Sequence, residues 1–323
     1  MANSKSVVIA ALLSNAAIAV LKFVGFVLTQ SPAMLSETFH SISDTGNQVF
    51  LLIGIWFGGR KPTRDHPFGY GKAQFFYSFL VSVLLFGIAG WESAKHGYDS
   101  LVQHHETVSG GLVHVLGQSF PPVYVNYAVL IGAMLFEGYA FSKAYRSTKH
   151  EIERRNWSGF REAFHKTSNV STLTALTEDT VSVAGAGFAL VGIWLSQVTG
   201  NPIYDAGAAL LIGLLLMGFA IALAWENKRL LLGESLPKEE EDRLRSELDG
   251  WEGVTEIIDF RTVYFGPDRI IVTADVAFDP TLDTGEMDDL ITDIEDGLYE
   301  INDSVKKVYI EPEVQETAAE SVI

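Results

Sequence analysis

Six long apolar runs constrain what this chain can fold into more than any other feature of its sequence. A helix that crosses ~30 Å of hydrocarbon at ~1.5 Å per residue needs about 20 mostly apolar residues. The first run is too long for a signal-peptide core and lacks a convincing cleavage site, so we expect it to remain as a helix. The sequence therefore predicts six transmembrane helices, at about 7–29, 33–57, 75–95, 123–143, 173–197 and 203–225.

Charge separates the chain into two parts. Residues 234–323 contain 26 acidic and 7 basic residues, whereas residues 1–233 carry a net charge of only +2. We therefore predict a transmembrane domain over 1–233 and a soluble domain over 234–323. The basic residues form only short clusters, which argues against a nucleic-acid partner. The absence of cysteine excludes disulfides and thiolate metal ligands.

Lysine and arginine predict how these helices are oriented. They are concentrated in the loop between the second and third runs, GGRKPTRDHPFGYGK, and in the loop that follows the fourth run. The other connections contain TQSPAM, VQHHETVSGGLVH and SQVTGNP, which have neither residue. Because Lys and Arg favour the cytoplasmic side, we expect a multi-pass protein of the cell membrane with both termini in the cytoplasm.

The acidic tail predicts a small α+β domain. KEEEDRLRSEL is polar and helical, and GEMDDLITDIEDGLYEI has apolar residues at helical spacing. VTEIIDFRTVYF and RIIVTADVAF are typical of strands joined by the turn GPD, and VKKVYIEP is typical of a final strand. The expected fold class is therefore a membrane all-α six-helix bundle followed by a small cytoplasmic α+β ferredoxin-like domain.

The second apolar run carries polar side chains where lipid-facing residues would be expected. His40 and Asp44 are four residues apart, which places them on one face of a helix. Glu37 lies about one turn before His40, and Asn47 lies about one turn after Asp44. An ionisable residue inside the membrane is costly, so this polar face is a candidate functional site.

The fifth run contributes two further acids, Glu178 and Asp179, about one-third of the way along it. Helix tilt can bring these carboxylates to the depth of His40 and Asp44. Imidazole and carboxylate together suit zinc, and manganese accepts the same set with water. His40 also titrates near neutral pH, which offers a way to exchange a metal ion for protons. The alternative is that these groups form hydrogen bonds that hold the helices together.

Two other charged residues in the apolar runs leave their roles open. Lys22, in the first run, can pair with an acid when the metal site is empty, or it can extend towards the membrane surface. Glu137, in the fourth run, can serve a proton relay or simply pair two helices. Asp205 begins the sixth run, where helix capping is a sufficient explanation.

These motifs resemble the cation diffusion facilitators along nearly the whole chain. SETFHSISDTGNQ is similar to the family's second-span motif, and DHPFGYGK is similar to its loop into the third span. LTEDTVSVAG and TGNPIYDAGAALLIG are similar to its fifth and sixth spans. The HxxxD spacing, the Glu-Asp-Thr run and the TGNP-x-YD loop resemble most the subgroup that includes the mitochondrial zinc transporter nine.

The resemblance implies that His40, Asp44 and Asp179 bind the transported ion. The family has a fourth ligand one turn before Asp179, and this chain has Ala175 there, so water or Glu178 is preferred for that position, with Glu37 ranked after them. The family often binds further metal through histidines in its tail. All eight histidines here lie at or before residue 165, so we expect the tail's carboxylates to be a solvated surface.

The expected function is therefore a secondary transporter, not an enzyme, that moves a divalent metal out of the cytoplasm. Zn²⁺ is the preferred ion, and Mn²⁺ or Fe²⁺ is the alternative. The resemblance implies exchange for protons and a homodimer braced by the C-terminal domains, and no cofactor beyond the transported ion is expected. A non-transporting membrane metal sensor remains open as an alternative. A membrane metalloenzyme would need a catalytic base beside an open metal position, and the sequence has no motif for one.

Overall fold

The computed structural model describes residues 2–103, 113–115, 118–154, 157–160, 163 and 170–313, without the side chains of 2–11, 103, 113–115, 118–119, 151 and 170–175. The chain divides into two compact units, each with its own internal contacts. The first comprises Met1–Ile53 and Tyr77–Asn227, and the second comprises Gly54–Phe76 and Lys228–Ile323. The expected domain boundary between residues 233 and 234 stays a prediction.

Each of the six apolar runs forms a helix, which confirms the predicted bundle. The third run is interrupted by a π-helical segment, Leu85–Gly90, that the sequence did not indicate. The helix formed by the fourth run continues beyond the end of that run, because the polar residues that follow are good helix formers. The helices are α1 (Ala2–Thr29), α2 (Pro32–Gly58), α3 (Ala73–Leu84), α4 (Trp91–Gln103), α5 (Val123–Arg154), α6 (Val170–Thr199) and α7 (Ile203–Leu232).

Length and composition qualify five helices of the described chain as membrane spans: Leu12–Thr29, Ala73–Val102, Val123–Arg154, Leu176–Thr199 and Ile203–Leu232. The helix α2 has 27 residues, which is long enough to cross a bilayer. Its polar face lowers its mean hydropathy, and this is why it is not among the five. The cost of that face in a membrane must be offset by a function or by polar partners.

The outer surfaces of these helices are apolar. Leu135 and Tyr139 of α5 are 72% and 75% exposed, and Val198 of α6 and Trp225 of α7 are also largely exposed. An apolar surface of this kind is unfavourable in water and favourable in lipid, where helices satisfy their own backbone hydrogen bonds. The chain is therefore a multi-pass membrane protein.

Small residues allow the helices of the first unit to pack closely. Ala33, Ala186, Ala189 and Ala208 are buried at the centre of the bundle with a few larger aliphatic side chains. A Cβ atom on Gly213 of α7 would lie 2.3 Å from the backbone nitrogen of Ala94 in α4. Without a hydrophobic driving force between helices in lipid, such close van der Waals contact stabilises the bundle.

The second unit has the α-β-β-α-β order that the tail predicted. Its elements are α8 (Lys238–Asp249), β3 (Val254–Gly266), β4 (Arg269–Phe278), α9 (Thr284–Ile301) and β5 (Val305–Glu313). The central strand β4 pairs antiparallel with β3 and parallel with β5. Leu244 and Leu248 of α8 and Ile294 and Leu298 of α9 pack with the strands in one buried core. The prediction of a small α+β domain is confirmed.

Local sequence explains how two of these elements begin. Asp283 caps α9 by accepting hydrogen bonds from the backbone N–H groups of Gly285 and Glu286, and the Glu286 side chain accepts one from the Asp283 N–H. This reciprocal pair is a capping box. Asp268 has a positive φ of 53° in the turn between β3 and β4, a conformation that Asp tolerates better than most residues.

The stretch Gly54–Phe76 is part of the second unit through aromatic packing. The ring of Phe68 lies 5.4 Å from that of Phe265 in β3 and 6.4 Å from that of Tyr309 in β5. A Cβ atom on Gly71 would lie 2.3 Å from the backbone oxygen of Phe265, so this glycine allows a close approach of two backbones.

A short hairpin also occurs outside the predicted elements, formed by β1 (Val113–Val115) and β2 (Gln118–Phe120).

Candidate metal site between helices α2 and α6

The polar face of α2 is turned into the bundle. Glu37 and His40 are 0% and 1% exposed, and the side chain of Asp44 is 14% exposed. Positions 37, 40 and 44 follow one another at helical spacing, so an inward orientation of one brings in the others. The sequence predicted this shared face, and the structure places it away from lipid.

His40 is held at two points through one ring nitrogen. Its Nε2 atom lies 2.8 Å from the hydroxyl oxygen of Ser182 in α6 and 3.6 Å from a carboxylate oxygen of Asp44. The other nitrogen, Nδ1, is buried and has no hydrogen-bond partner in the described part of the chain. Either tautomer therefore leaves Nδ1 unused, and a buried polar atom of this kind calls for a ligand or a partner.

The α6 side of the site carries the acids that were predicted there. Asn47 of α2 donates a hydrogen bond from Nδ2 to Glu178 Oε1 at 3.2 Å, which joins the two helices. Asp179 follows Glu178 in α6 and is half-buried. The polar face of α2 therefore meets the acidic part of α6 through Glu178, and a cation between the two helices would lower the cost of burying carboxylates there.

The predicted ligands do not all meet. His40 and Asp44 are adjacent, Glu178 and Asp179 lie across from them, and Glu37 is turned towards α1. Among the side chains that the structure describes, no three His, Asp or Glu residues are grouped closely enough to hold a metal ion. The ligand set therefore stays a prediction. Ala175, at the family's fourth ligand position, lies outside the described side chains.

Lys22 forms the buried ion pairs of this region. Its ammonium lies 2.7 Å from Glu37 Oε2 and 3.4 Å from Glu137 Oε1, and the three side chains are 0%, 0% and 13% exposed. The alternative in which Lys22 extends to the membrane surface is therefore wrong, and its pairing with an acid is confirmed. The three residues come from α1, α2 and α5, so charge pairing joins three helices at this level.

Two residues of α6 contribute to this region without having been predicted. Ser182 contacts His40, and a Cβ atom on Gly185 would lie only 2.6 Å from Glu37 Oε1. The signal was the helical spacing from Glu178, because positions four and seven residues later lie near the same face. A serine in a membrane helix and a glycine in a small-residue run are otherwise common packing residues.

The start of α2 is fixed by a residue of another helix. Asp205 of α7 is buried, and its Oδ1 atom accepts hydrogen bonds from the Ser31 hydroxyl at 2.9 Å and from the Ala33 backbone N–H at 3.0 Å. Capping was expected for Asp205. The N-terminus that Asp205 caps is that of α2, two turns before the candidate site, whereas at the start of α7 the backbone N–H of Ile203 donates to Asn201 Oδ1.

Comparison with known proteins identifies the family of this chain. Residues 8–232 match the family described as the cation efflux transmembrane domain, and residues 236–314 match the one described as the cation efflux protein cytoplasmic domain. The chain belongs to the cation efflux family. This confirms the resemblance to the cation diffusion facilitators that the sequence motifs indicated.

Individual relatives of this cation efflux chain extend the comparison. It is 29% identical to the human proton-coupled zinc antiporter SLC30A9, mitochondrial, over 84% of this chain and 46% of that protein. It is 27% identical to metal tolerance protein C4 of Arabidopsis thaliana, over 85% and 57%, and 21% identical to an uncharacterized transporter of Methanocaldococcus jannaschii, over 95% and 96%. The chain spans about half the length of the human relative.

Proposed function

We propose that this protein exports a divalent metal ion, Zn²⁺ in the first place, from the cytoplasm in exchange for protons. The observation that carries the proposal is the buried pair of His40 and Asp44 on α2, whose imidazole and carboxylate lie 3.6 Å apart and which is joined to α6, the helix of Glu178 and Asp179, through Ser182 and Asn47. Membership of the cation efflux family and the zinc antiporter among the relatives support the same function.

His40, Asp44 and Asp179 are the proposed ligands of the ion. Imidazole nitrogen and carboxylate oxygen bind Zn²⁺ at ~2.0–2.2 Å, and they release it more readily than thiolates do. Water or Glu178 takes the fourth position, since Ala175 has no donor atom. Glu178 follows a helical direction about 100° away from Asp179, so it needs a rotation of α6 or of its own side chain to bind the same ion.

Carboxylates on facing helices support a site that closes around its ion. Asp44 of α2 and Glu178 of α6 are both withdrawn from solvent, and a divalent cation between the helices would attract both side chains. Protons that bind to the imidazole and the carboxylates after the ion has left neutralise the same charges. The two conformations of the transporter then differ in affinity for metal and proton, as exchange requires.

We further propose a homodimer in the cell membrane, with both termini in the cytoplasm. The cytoplasmic domain matched at 236–314 and the basic loops at the same side of the helices support this arrangement. The described tail has its own core and no histidine, so its proposed role is to brace the two subunits rather than to bind zinc. No nucleic acid or enzymatic step is part of the proposal.

The function is tested by ion flux into proteoliposomes that contain the purified full-length protein. Zn²⁺ uptake is measured with and without a pH gradient, and Mn²⁺ and Fe²⁺ are compared in the same assay. We expect Zn²⁺ flux that depends on the gradient and that is lost in Asp44→Ala and Asp179→Ala. Glu92→Gln, which removes a charge in the first turn of α4, is the matched control and should transport like the wild type.

Two outcomes would contradict the proposal. If the wild-type protein binds Zn²⁺ but moves none, a metal sensor replaces the transporter. If Asp44→Ala and Asp179→Ala transport as well as the wild type does, the ions do not pass between α2 and α6.

A further inference from the structure

We propose that the Lys22 ammonium pairs with Glu37 while no metal ion is bound, and that an incoming metal ion displaces it onto Glu137. Glu37 is then a conditional ligand, which can bind the ion only after the ammonium has moved. This inference rests on the proposed function for the identity of the ion. It assigns roles to Lys22 and Glu137, neither of which is itself a ligand.

The ammonium is shared unequally by two carboxylates. Lys22 Nζ lies 2.7 Å from Glu37 Oε2 and 3.4 Å from Glu137 Oε1, with all three groups in the interior of the bundle. A charge in such a place must be paired, so Lys22 can leave one acid only by moving fully to the other. The longer contact to Glu137 is already within range, and a small shift of the flexible lysine completes the transfer.

Unused atoms indicate where a second cation fits. Glu37 Oε1 and His40 Nδ1 are buried, and neither has a hydrogen-bond partner among the described residues. Glu37 and His40 are three residues apart, on the same face of α2. Glu37 Oε1 lies against α6 at Gly185, one turn beyond the serine that contacts His40. A cation beside Glu37 and His40 would satisfy an unused atom of each residue, provided that Lys22 no longer holds the carboxylate.

Charge explains why the transfer follows ion binding. Lys22, Glu37 and Glu137 together carry one net negative charge, and Glu137 Oε2 is also buried and unpartnered in the described chain. A divalent ion beside His40 repels the ammonium and attracts Glu37, so it drives Lys22 towards Glu137. When the ion leaves, the ammonium returns to Glu37. The empty carrier therefore never buries an unpaired Glu37 carboxylate.

Competition between the ammonium and the ion gives the proposal a measurable form. The apparent Zn²⁺ affinity falls with the fraction of molecules in which Lys22 still occupies Glu37. Removing Glu137 leaves the ammonium no other partner and should therefore weaken Zn²⁺ binding. The same change should have no effect once Lys22 is absent. If the three residues only hold helices together, Glu137 matters equally in both cases.

The test is the equilibrium Zn²⁺ dissociation constant of the purified full-length protein, with thermal unfolding as a measure of folding. We expect Glu137→Gln to weaken binding by on the order of tenfold, as changes next to metal ligands do. Lys22→Gln should tighten binding, and the double variant Lys22→Gln/Glu137→Gln should bind like Lys22→Gln alone. Glu92→Gln should match the wild type.

A second variant, Glu37→Gln, serves if Lys22→Gln does not fold, because it retains the lysine and one of its two partners. In Glu37→Gln the ammonium pairs with Glu137 from the start, and Zn²⁺ binding has lost the conditional ligand. Zn²⁺ binding in Glu37→Gln should therefore weaken by on the order of tenfold while the variant still folds. Additive effects in the cycle of Lys22 and Glu137, or a wild-type dissociation constant in folded Glu137→Gln or Glu37→Gln, would overturn the proposal.

These results separate this inference from the proposed function. A wild type that binds Zn²⁺ without transporting it would end the transport proposal, and the binding measurements would still test the role of Lys22. Transport combined with additive effects of the Lys22 and Glu137 substitutions would remove the role of Lys22 alone. A wild type that binds no Zn²⁺ would overturn both.

Discussion

Asp205 of α7 accepts a hydrogen bond from the backbone N–H of Ala33, in the first turn of α2, at 3.0 Å. It also accepts one from the Ser31 hydroxyl, so a carboxylate of one helix satisfies the N-terminus of another. A negative charge in that position is stabilised by the unpaired N–H groups and by the helix dipole. The helix that carries His40 and Asp44 is thereby anchored to α7 at one end.

Replacing Asp205 should destabilise the bundle in proportion to the hydrogen bonds that are lost. Asp205→Ala leaves two buried donors unpaired, which costs about 1–3 kcal/mol each at most. Asp205→Asn retains an acceptor oxygen and should lose less. Thermal unfolding in detergent should rank the wild type above Asp205→Asn and Asp205→Ala last. Equal unfolding temperatures for all three would show that this cap does not stabilise α2.

Removing the Ser182 hydroxyl should loosen His40. Ser182→Ala takes away the 2.8 Å contact with Nε2, so the ring is no longer oriented from α6. Loss of a partner that orients a metal ligand lowers affinity by roughly 10–100-fold. Zn²⁺ binding measured by calorimetry should weaken in Ser182→Ala. Ser142→Ala removes an exposed hydroxyl that bonds within its own helix and should not alter binding.

A methyl group on Gly185 should disturb the Lys22–Glu37 pair. In Gly185→Ala the new Cβ atom would lie 2.6 Å from Glu37 Oε1, the end of a flexible side chain, so the carboxylate must shift and its ion pair with Lys22 weakens. We expect a loss of about 1 kcal/mol, the low end of the cost of overpacking. Gly187→Ala is a matched control in the same helix, because its Cβ would meet nothing within 4 Å. Thermal unfolding should show a loss for Gly185→Ala only, and similar losses for both would refute this account.

Tyr264 should make the second unit sensitive to alkaline pH. Burial, reinforced by the carboxylates of Glu240 and Asp268, raises the pKa of Tyr264 to about 12. The unfolded phenol ionises near pH 10, whereas the folded phenol ionises only near pH 12. The free energy of unfolding therefore falls between about pH 10 and about pH 12.

The measurement is denaturant unfolding of the full chain at pH 9 and pH 11. Tyr264→Phe should lose less stability between these two values than the wild type does, since phenylalanine cannot ionise. Tyr309→Phe, at an exposed tyrosine of β5, should lose as much as the wild type. An identical loss in Tyr264→Phe and the wild type would contradict the assignment.

The helices and the tail could be predicted because their signals are local. An apolar run of about 20 residues predicts its own helix, and alternating or helical spacing predicts the elements of the tail. The π-helical segment at Leu85–Gly90 could not be predicted, because its residues have the same apolar character as their neighbours. The position of Gly54–Phe76 was also missed, since it depends on the contact of Phe68 with Phe265, far along the chain.

The candidate site shows the same division between local and distant information. Spacing placed Glu37, His40 and Asp44 on one face of α2, and this is how they lie. Spacing alone could not show that Lys22 forms an ion pair with Glu37, because their contact joins two helices and the rotation of each helix is set by packing. Such pairings between helices depend on the whole bundle, so only the presence of charge in each run could be predicted.

The inclusion of Gly54–Phe76 in the second unit has a consequence for how that unit is tethered. The backbone passes between the units after Ile53, after Phe76 and after Asn227, so three covalent links connect them. A protease that nicked the chain at Gly233 would cut the C-terminal segment free of its preceding helix. The fragment would still contact the segment Gly54–Phe76 through Phe68. A single cleavage would therefore leave a non-covalent complex and would not release the fragment.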